Sequence, residues 1–127
     1  MAAACARDPR PLLHTAVGDA RRLERERMPC PAAMARLIRA GVAAVRGDSR
    51  AVDLLAEAAA CFEAVDMRLC AAAARRRRGE LSGGDEGSSL IADADAWMAG
   101  QGIRNPARMT DLYAPGFGRP SRPVAGR

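Results

Sequence analysis

Apolar residues recur along this chain at helical spacing, and turn-forming residues separate the runs. The clearest run is Met34, Leu37, Ile38, Gly41, Val42 and Val45, at i, i+3, i+4, i+7, i+8 and i+11. That spacing places all six on one stripe of an α-helix, while Arg36, Arg39 and Arg46 avoid it. Gly47 ends this helix, and Asp48 or Ser49 is placed to cap the next. A helix over Arg50–Ala64 follows, with Ala51, Leu55, Ala58, Phe62 and Val65 on one face and Arg50, Asp53 and Glu57 on another. The link between these two helices is a few residues long, so they fold back antiparallel as a hairpin.

The same reading extends in both directions. Upstream, a helix starts near Pro11, with Leu13, Ala16, Val17, Ala20 and Leu23 on one side and a charged second half, and Pro29 and Pro31 stop it. Downstream, Asp66 is a candidate cap for a helix that turns Met67, Cys70, Ala71 and Ala74 inward and closes with Arg75–Arg78 and Gly79. Ser82-Gly83-Gly84-Asp85 reads as a turn. A fifth helix carries Leu90, Ile91, Ala94, Trp97 and Met98 and ends at Gly100 and Gly102. Asn105-Pro106 reads as a cap and first-turn proline of a short sixth helix through Tyr113, which contributes Met109 and Leu112. The expected core residues are Leu37, Ile38, Val42, Leu55, Phe62, Leu90, Ile91 and Trp97.

Two stretches also repeat. Arg36-Leu37 returns as Arg68-Leu69, and Gly47-Asp48 returns as Gly79-Glu80, both at an offset of 32 residues. A period in the low thirties with one helical hairpin per unit is the signature of a TPR-like solenoid. The expected fold is therefore all-α: five to six helices in TPR-like antiparallel hairpins over residues 11–114. Residues 1–10 are expected to be frayed, and the Pro-, Gly- and Arg-rich residues 115–127 to form a disordered tail.

Composition supports a helical core. Of 127 residues, 49% are hydrophobic but only 3% aromatic, so Ala, Leu, Val and Met must build the interior. That suits close helix packing better than a sheet of β-branched and aromatic residues. All 20 basic residues are Arg, and the net charge is +5. The 15 acidic residues are interspersed with them, so no long purely basic segment marks a nucleic-acid site. Cys5, Cys30, Cys61 and Cys70 show no two-residue ligand gap, and His14 is the only histidine, which excludes a zinc finger. Cys61 and Cys70 read as reduced thiols in helical surroundings. No apolar run is long enough to span a membrane, and the N-terminus has no signal-peptide pattern. A cytoplasmic protein is expected.

Each motif with functional appeal has a plainer reading. Four consecutive arginines, Arg75–Arg78, suit a phosphate or an acidic partner. On a helix they are about 100° apart and cannot form one patch, and a helix C-terminus favours positive charge. Asp85, Glu86, Asp93 and Asp95 lack the ligand alternation of a calcium loop, and helix capping accounts for the first two. Trp97 suits an exposed anchor, but its spacing from Leu90, Ile91 and Ala94 assigns it to the core. His14 has no recognisable nucleophile and acid around it. Gly116-Phe117-Gly118 has neither the preceding strand nor the following helix of a phosphate loop.

Several stretches together carry a resemblance. They are Ala20-Arg-Arg-Leu-Glu-Arg-Glu-Arg-Met-Pro29, Arg39-Ala-Gly-Val-Ala-Ala-Val-Arg-Gly-Asp48, and Leu54-Leu-Ala-Glu-Ala-Ala-Ala with Phe62, Asp66 and Met67. Gly83-Gly-Asp-Glu-Gly87, Ala94-Asp-Ala-Trp-Met98 and Gln101-Gly-Ile-Arg-Asn-Pro-Ala-Arg-Met109 complete the set. In order and spacing, over roughly residues 18–117, they resemble the C-terminal TPR-like helical region of large multidomain bacterial serine/threonine protein kinases. The resemblance implies a signalling parent but transfers no catalytic residue. A kinase needs a Gly-rich loop, an ion-paired Lys, a catalytic-loop Asp and a metal-binding Asp, and this chain has no Lys and none of those motifs.

The expectation is a non-catalytic protein-interaction or regulatory segment without cofactor or metal. Its partner would be a protein: upstream helical repeats, a second copy or a signalling protein. The rival is a small basic helical protein that binds nucleic acid. Leu12, Leu13 and Val17 mark a possible docking edge, because they must face either the first hairpin or another repeat.

Overall fold

The computed structural model describes residues 9–25 and 29–117. They form six helices: α1 (Arg10–Arg25), α2 (Pro29–Val45), α3 (Arg50–Ala64), α4 (Arg68–Ser82), α5 (Gly84–Gly100) and α6 (Pro106–Tyr113). Among the described residues there is no strand. Helices α1 to α5 each pack on the next in sequence, and α6 lies across α4 and α5. The architecture is all-α and built of antiparallel hairpins.

The turns follow from local chemistry. Gly47 leaves α2 with φ near +70°, a conformation that glycine adopts without a Cβ penalty. Asp48 then accepts the Arg50 backbone N–H at 2.9 Å, whereas the Ser49 side chain makes no capping bond. Asn105 caps α6 by accepting from the Arg108 N–H at 3.1 Å, with Pro106 in the first turn. Asp66 does not cap α4 through its side chain. It takes φ +61° as the chain leaves α3, and Met67 occupies the cap position. Pro29 and Pro31 lie within the first turn of α2, where a missing N–H costs nothing, so α2 begins before its apolar stripe.

The repeat is looser than the residue matches suggest. Gly47 is a helix terminator, but its counterpart Gly79 is a buried position inside α4, and the chain reverses four residues later at Gly83, φ +66°. Gly83 is the only residue between α4 and α5, so the two arms emerge almost in contact. Gly79 and Gly87 are where they touch. A Cβ built on Gly79 would stand 2.6 Å from the Gly87 carbonyl oxygen and 2.8 Å from Ile91 Cγ1. Gly79→Ala therefore overpacks a backbone-to-backbone contact and should lower stability by about 1–3 kcal/mol, although alanine is the better helix former. Chemical denaturation measures this, and an unchanged midpoint would show that the arms can part without loss.

The core lies between α2, α3, α4 and α5 and the chain that follows. Its buried residues include Ala33, Leu37, Ala40, Leu55, Ala58, Phe62, Ala71, Ala74 and Met98. Four expected core residues are only half-buried: Ile38, Leu90, Ile91 and Trp97. In α5 it is Ala94 and Met98 that go fully inside. In α2, alanines at 33, 35, 40 and 43 join Leu37 and Val42 in the interior, while Met34 and Val45 stand exposed. Small side chains let the helices approach closely, so the larger residues lie at the edges of each contact. In α6, Met109 packs on the core and Leu112 points to solvent.

The C-terminal boundary also differs from expectation. Ala114 is fully buried and Phe117 packs against the core, so Pro115–Phe117 fold back over the helices. Residues 1–8 and 118–127, expected to be frayed or disordered, lie outside the described residues.

Candidate interaction surface

The arginine run occupies the third turn of α4, not its end, because the helix continues to Ser82. The four side chains fan out, as their 100° spacing requires. Arg75 pairs with Glu63 of α3 at 3.0 Å. Arg76 pairs with Asp95 of α5 at 2.7 Å and with Glu80 at 2.6 Å. Arg77, only 5% exposed, donates to Glu80, to Asp111 of α6 and to the Ala114 carbonyl oxygen, at 2.8, 2.8 and 3.0 Å. Arg78 is half-buried, and its Nε meets no hydrogen-bond partner among the described residues. The run is thus a set of struts from α4 to its neighbours, and Arg77 is a buried one. Sequence reasoning missed that role. The signal available was a run of arginines together with acids at Glu63, Glu80, Asp95 and Asp111, on α3, α4, α5 and α6.

Other arginines are paired in the same way. Arg36 meets Glu57, Arg68 meets Asp66, and Arg50 meets Asp48. The Arg50 backbone N–H and then its guanidinium hold the Asp48 carboxyl below the usual carboxylate range. Arg39 grips Glu24 with two nitrogens at 2.6 and 2.9 Å and lowers the Glu24 pKa mainly through that hydrogen bond. This pair ties α1 to α2.

The Glu24 shift has a pH consequence. A carboxyl whose pKa is depressed by folding contributes stability above its unfolded value and loses it as pH falls through the folded one. The pair is exposed, so the effect is modest and salt-sensitive. Acidification through the carboxylate range should loosen α1 before the other helices. Amide exchange followed by NMR between neutral and acid pH checks this, and equal acceleration in α1 and α3 would contradict it.

The apolar surfaces that remain are few. On α2, Met34, Ile38, Gly41 and Val45 share one face at helical spacing. Met34 and Val45 are exposed, and Ile38 and Gly41 are half-covered. Phe117 lies on the centre of this face: its ring carbons are 3.7 Å from where a Gly41 Cβ would be. The Arg77 guanidinium stands 5.6 Å from the same ring's centroid. The ring therefore sits between α2 and α4, on the side that these helices share.

The residues singled out as a docking edge lie on α1. Leu12 is exposed, and Leu13 and Val17 are half-buried. They are brought together along one stretch of that helix, away from the Phe117 seat. His14 is exposed on α1. Cys61 is half-buried and Cys70 buried, both as thiols; Cys5 and the Cys30 side chain lie outside the described residues. Trp97 rests on the core and lines two open recesses, one also lined by Met67, Cys70 and Tyr113, the other by Arg75 and Asp93. Among the described residues, no group of three or more His, Cys, Asp or Glu residues is placed to share a metal ion. None of the described helices is long and apolar enough to cross a membrane.

These features define an all-α chain of helical hairpins with two apolar surface strips. Comparison with protein-family models, with curated proteins and with solved structures finds no match.

Proposed function

We propose that this chain is a non-catalytic, TPR-like protein-interaction or regulatory segment of the kind found at the C-terminal end of bacterial serine/threonine protein kinases, working in the cytoplasm. The observation that carries this reading is the pairing of large apolar side chains left at the surface with arginines tied up in ion pairs. Leu12 on α1 and Met34 and Val45 on α2 are exposed where alanines fill the core. Stacked hairpins that keep such strips on the outside are suited to continuing a repeat array or receiving another protein.

The same arginines weigh against the nucleic-acid alternative. Phosphate binding needs cations presented outward, and seven guanidinium groups (36, 39, 50, 68, 75, 76 and 77) already face carboxylates. The kinase connection rests on the sequence resemblance alone.

The α1 strip gives the test. Sedimentation of the purified chain at rising concentration should show reversible self-association, and Leu12→Glu should abolish it with helix content kept. A strict monomer at high concentration, with no binding to an added helical-repeat segment, sinks the docking edge. Nucleic-acid binding that weakens steeply with salt would favour the alternative instead.

A further inference from the structure

We infer that the α2 face formed by Met34, Ile38, Gly41 and Val45 is a seat for a non-helical peptide segment bearing an aromatic side chain. Its own Phe117 is the resident occupant, held there by Arg77. The inference rests on the interaction-module reading and specifies its ligand and its regulation. Four observations join in it.

The face is apolar, with Met34 and Val45 exposed and Ile38 and Gly41 half-covered. Its centre is a glycine, so a flat ring can lie on the helix backbone. The segment that does lie there is not helical: α6 stops at Tyr113, and Ala114–Phe117 run on as an irregular strap. Finally, the strap is fastened at two points by one side chain. Arg77 accepts the ring against its guanidinium and donates Nε–H to the Ala114 carbonyl oxygen. An arginine over an aromatic face adds attraction that an aliphatic residue in the strap would not receive.

The strap fills only the middle of the face, since Met34 and Val45 stay exposed at either end. A longer peptide from another protein can cover all of it and so displace Phe117. Its required features follow from the occupant: a bent, non-helical backbone, a ring to lie on Gly41 beside Arg77, and apolar neighbours for Met34 and Val45. The resident ring lowers the apparent affinity for any such peptide by the fraction of chains in which the seat is closed.

The experiment uses the full chain, 15N-labelled, and a synthetic peptide of residues 112–120, Leu-Tyr-Ala-Pro-Gly-Phe-Gly-Arg-Pro. With Phe117→Ala, the peptide should shift the Gly41 amide and bind at least tenfold tighter than it binds the wild type. The same peptide with its Phe changed to Ala should do neither. Gly41→Leu, which fills the seat on an exposed helix face, should block binding in the Phe117→Ala background. If Phe117→Ala loses helix signal, Phe117→Leu takes its place, because it keeps apolar cover without a ring for Arg77. No shift at Gly41, or equal affinity for variant and wild type, overturns the proposal. Self-association through α1 is read separately by sedimentation, so the docking edge and this seat can fail independently.

Discussion

Phe62→Ala should cost about 3–5 kcal/mol, a large fraction of the stability of a domain this size. Phe62 is fully buried and is the largest side chain in the interior. It stands in the last turn of α3, in one buried cluster with Cys70 and the alanines of α4. Those neighbours are too small to fill the space of a lost ring: alanine has no rotamer to swing inward, and the helices already pack at alanine distance. A cavity therefore persists and adds its own penalty to the lost burial. Leu55→Ala, one helical stretch earlier on the same face, should follow at about 2–5 kcal/mol. Urea unfolding followed by circular dichroism gives both values. A loss below 1 kcal/mol for Phe62→Ala would mean that the alanine-rich helices collapse onto the gap.

Arg77→Ala should be comparably severe, at the lower end of the roughly 3–5 kcal/mol expected when one member of a buried ion pair is removed. Arg77 pairs with Glu80 on its own helix and joins α4 to α6 through Asp111 and to the strap through Ala114 and Phe117. The loss falls at the lower end because Glu80 keeps Arg76 and Asp111 is partly in water. Lysine should not rescue it, since an ammonium cannot reproduce the planar fork that serves two carboxylates, a carbonyl and a ring face together. A double-mutant cycle with Asp111→Asn separates the α6 contribution from the rest. Arg77→Lys at wild-type stability would show that charge alone matters there.

How far the sequence could be read depended on which residues carried a signal. Helix α3 runs from Arg50 to Ala64, as its periodicity and flanking turns predict. The Asn105-Pro106 start of α6 is equally legible because a cap and a first-turn proline are local chemistry. The strongest apolar stripe, on α2, was assigned to the core, yet part of it faces outward. Alanine scores weakly in any hydrophobic pattern, so the true interior of α2 was nearly silent. Gly79 was misread because a glycine that ends a helix and one that lets two helices touch look alike. Arg77 was legible only as part of a run, and its burial depends on α6 and the strap, which reach it from far down the chain. The docking-edge residues Leu12, Leu13 and Val17 do share α1, but no occupant of that edge is described.

The single-residue link at Gly83 also bears on how the chain acquires its shape. Helices α4 and α5 meet through residues close in sequence, and the other hairpins close over turns of a few residues, so most of the fold needs only short loops to form. Chains of such low contact order fold in microseconds to milliseconds. The ring of Phe117 on Gly41 is an exception, since it joins α2 to the segment after α6, residues that must first be brought together by everything between them. That contact should form last and open first, so the Phe117 ring signals should reach their unfolded positions at a lower denaturant concentration than those of Phe62.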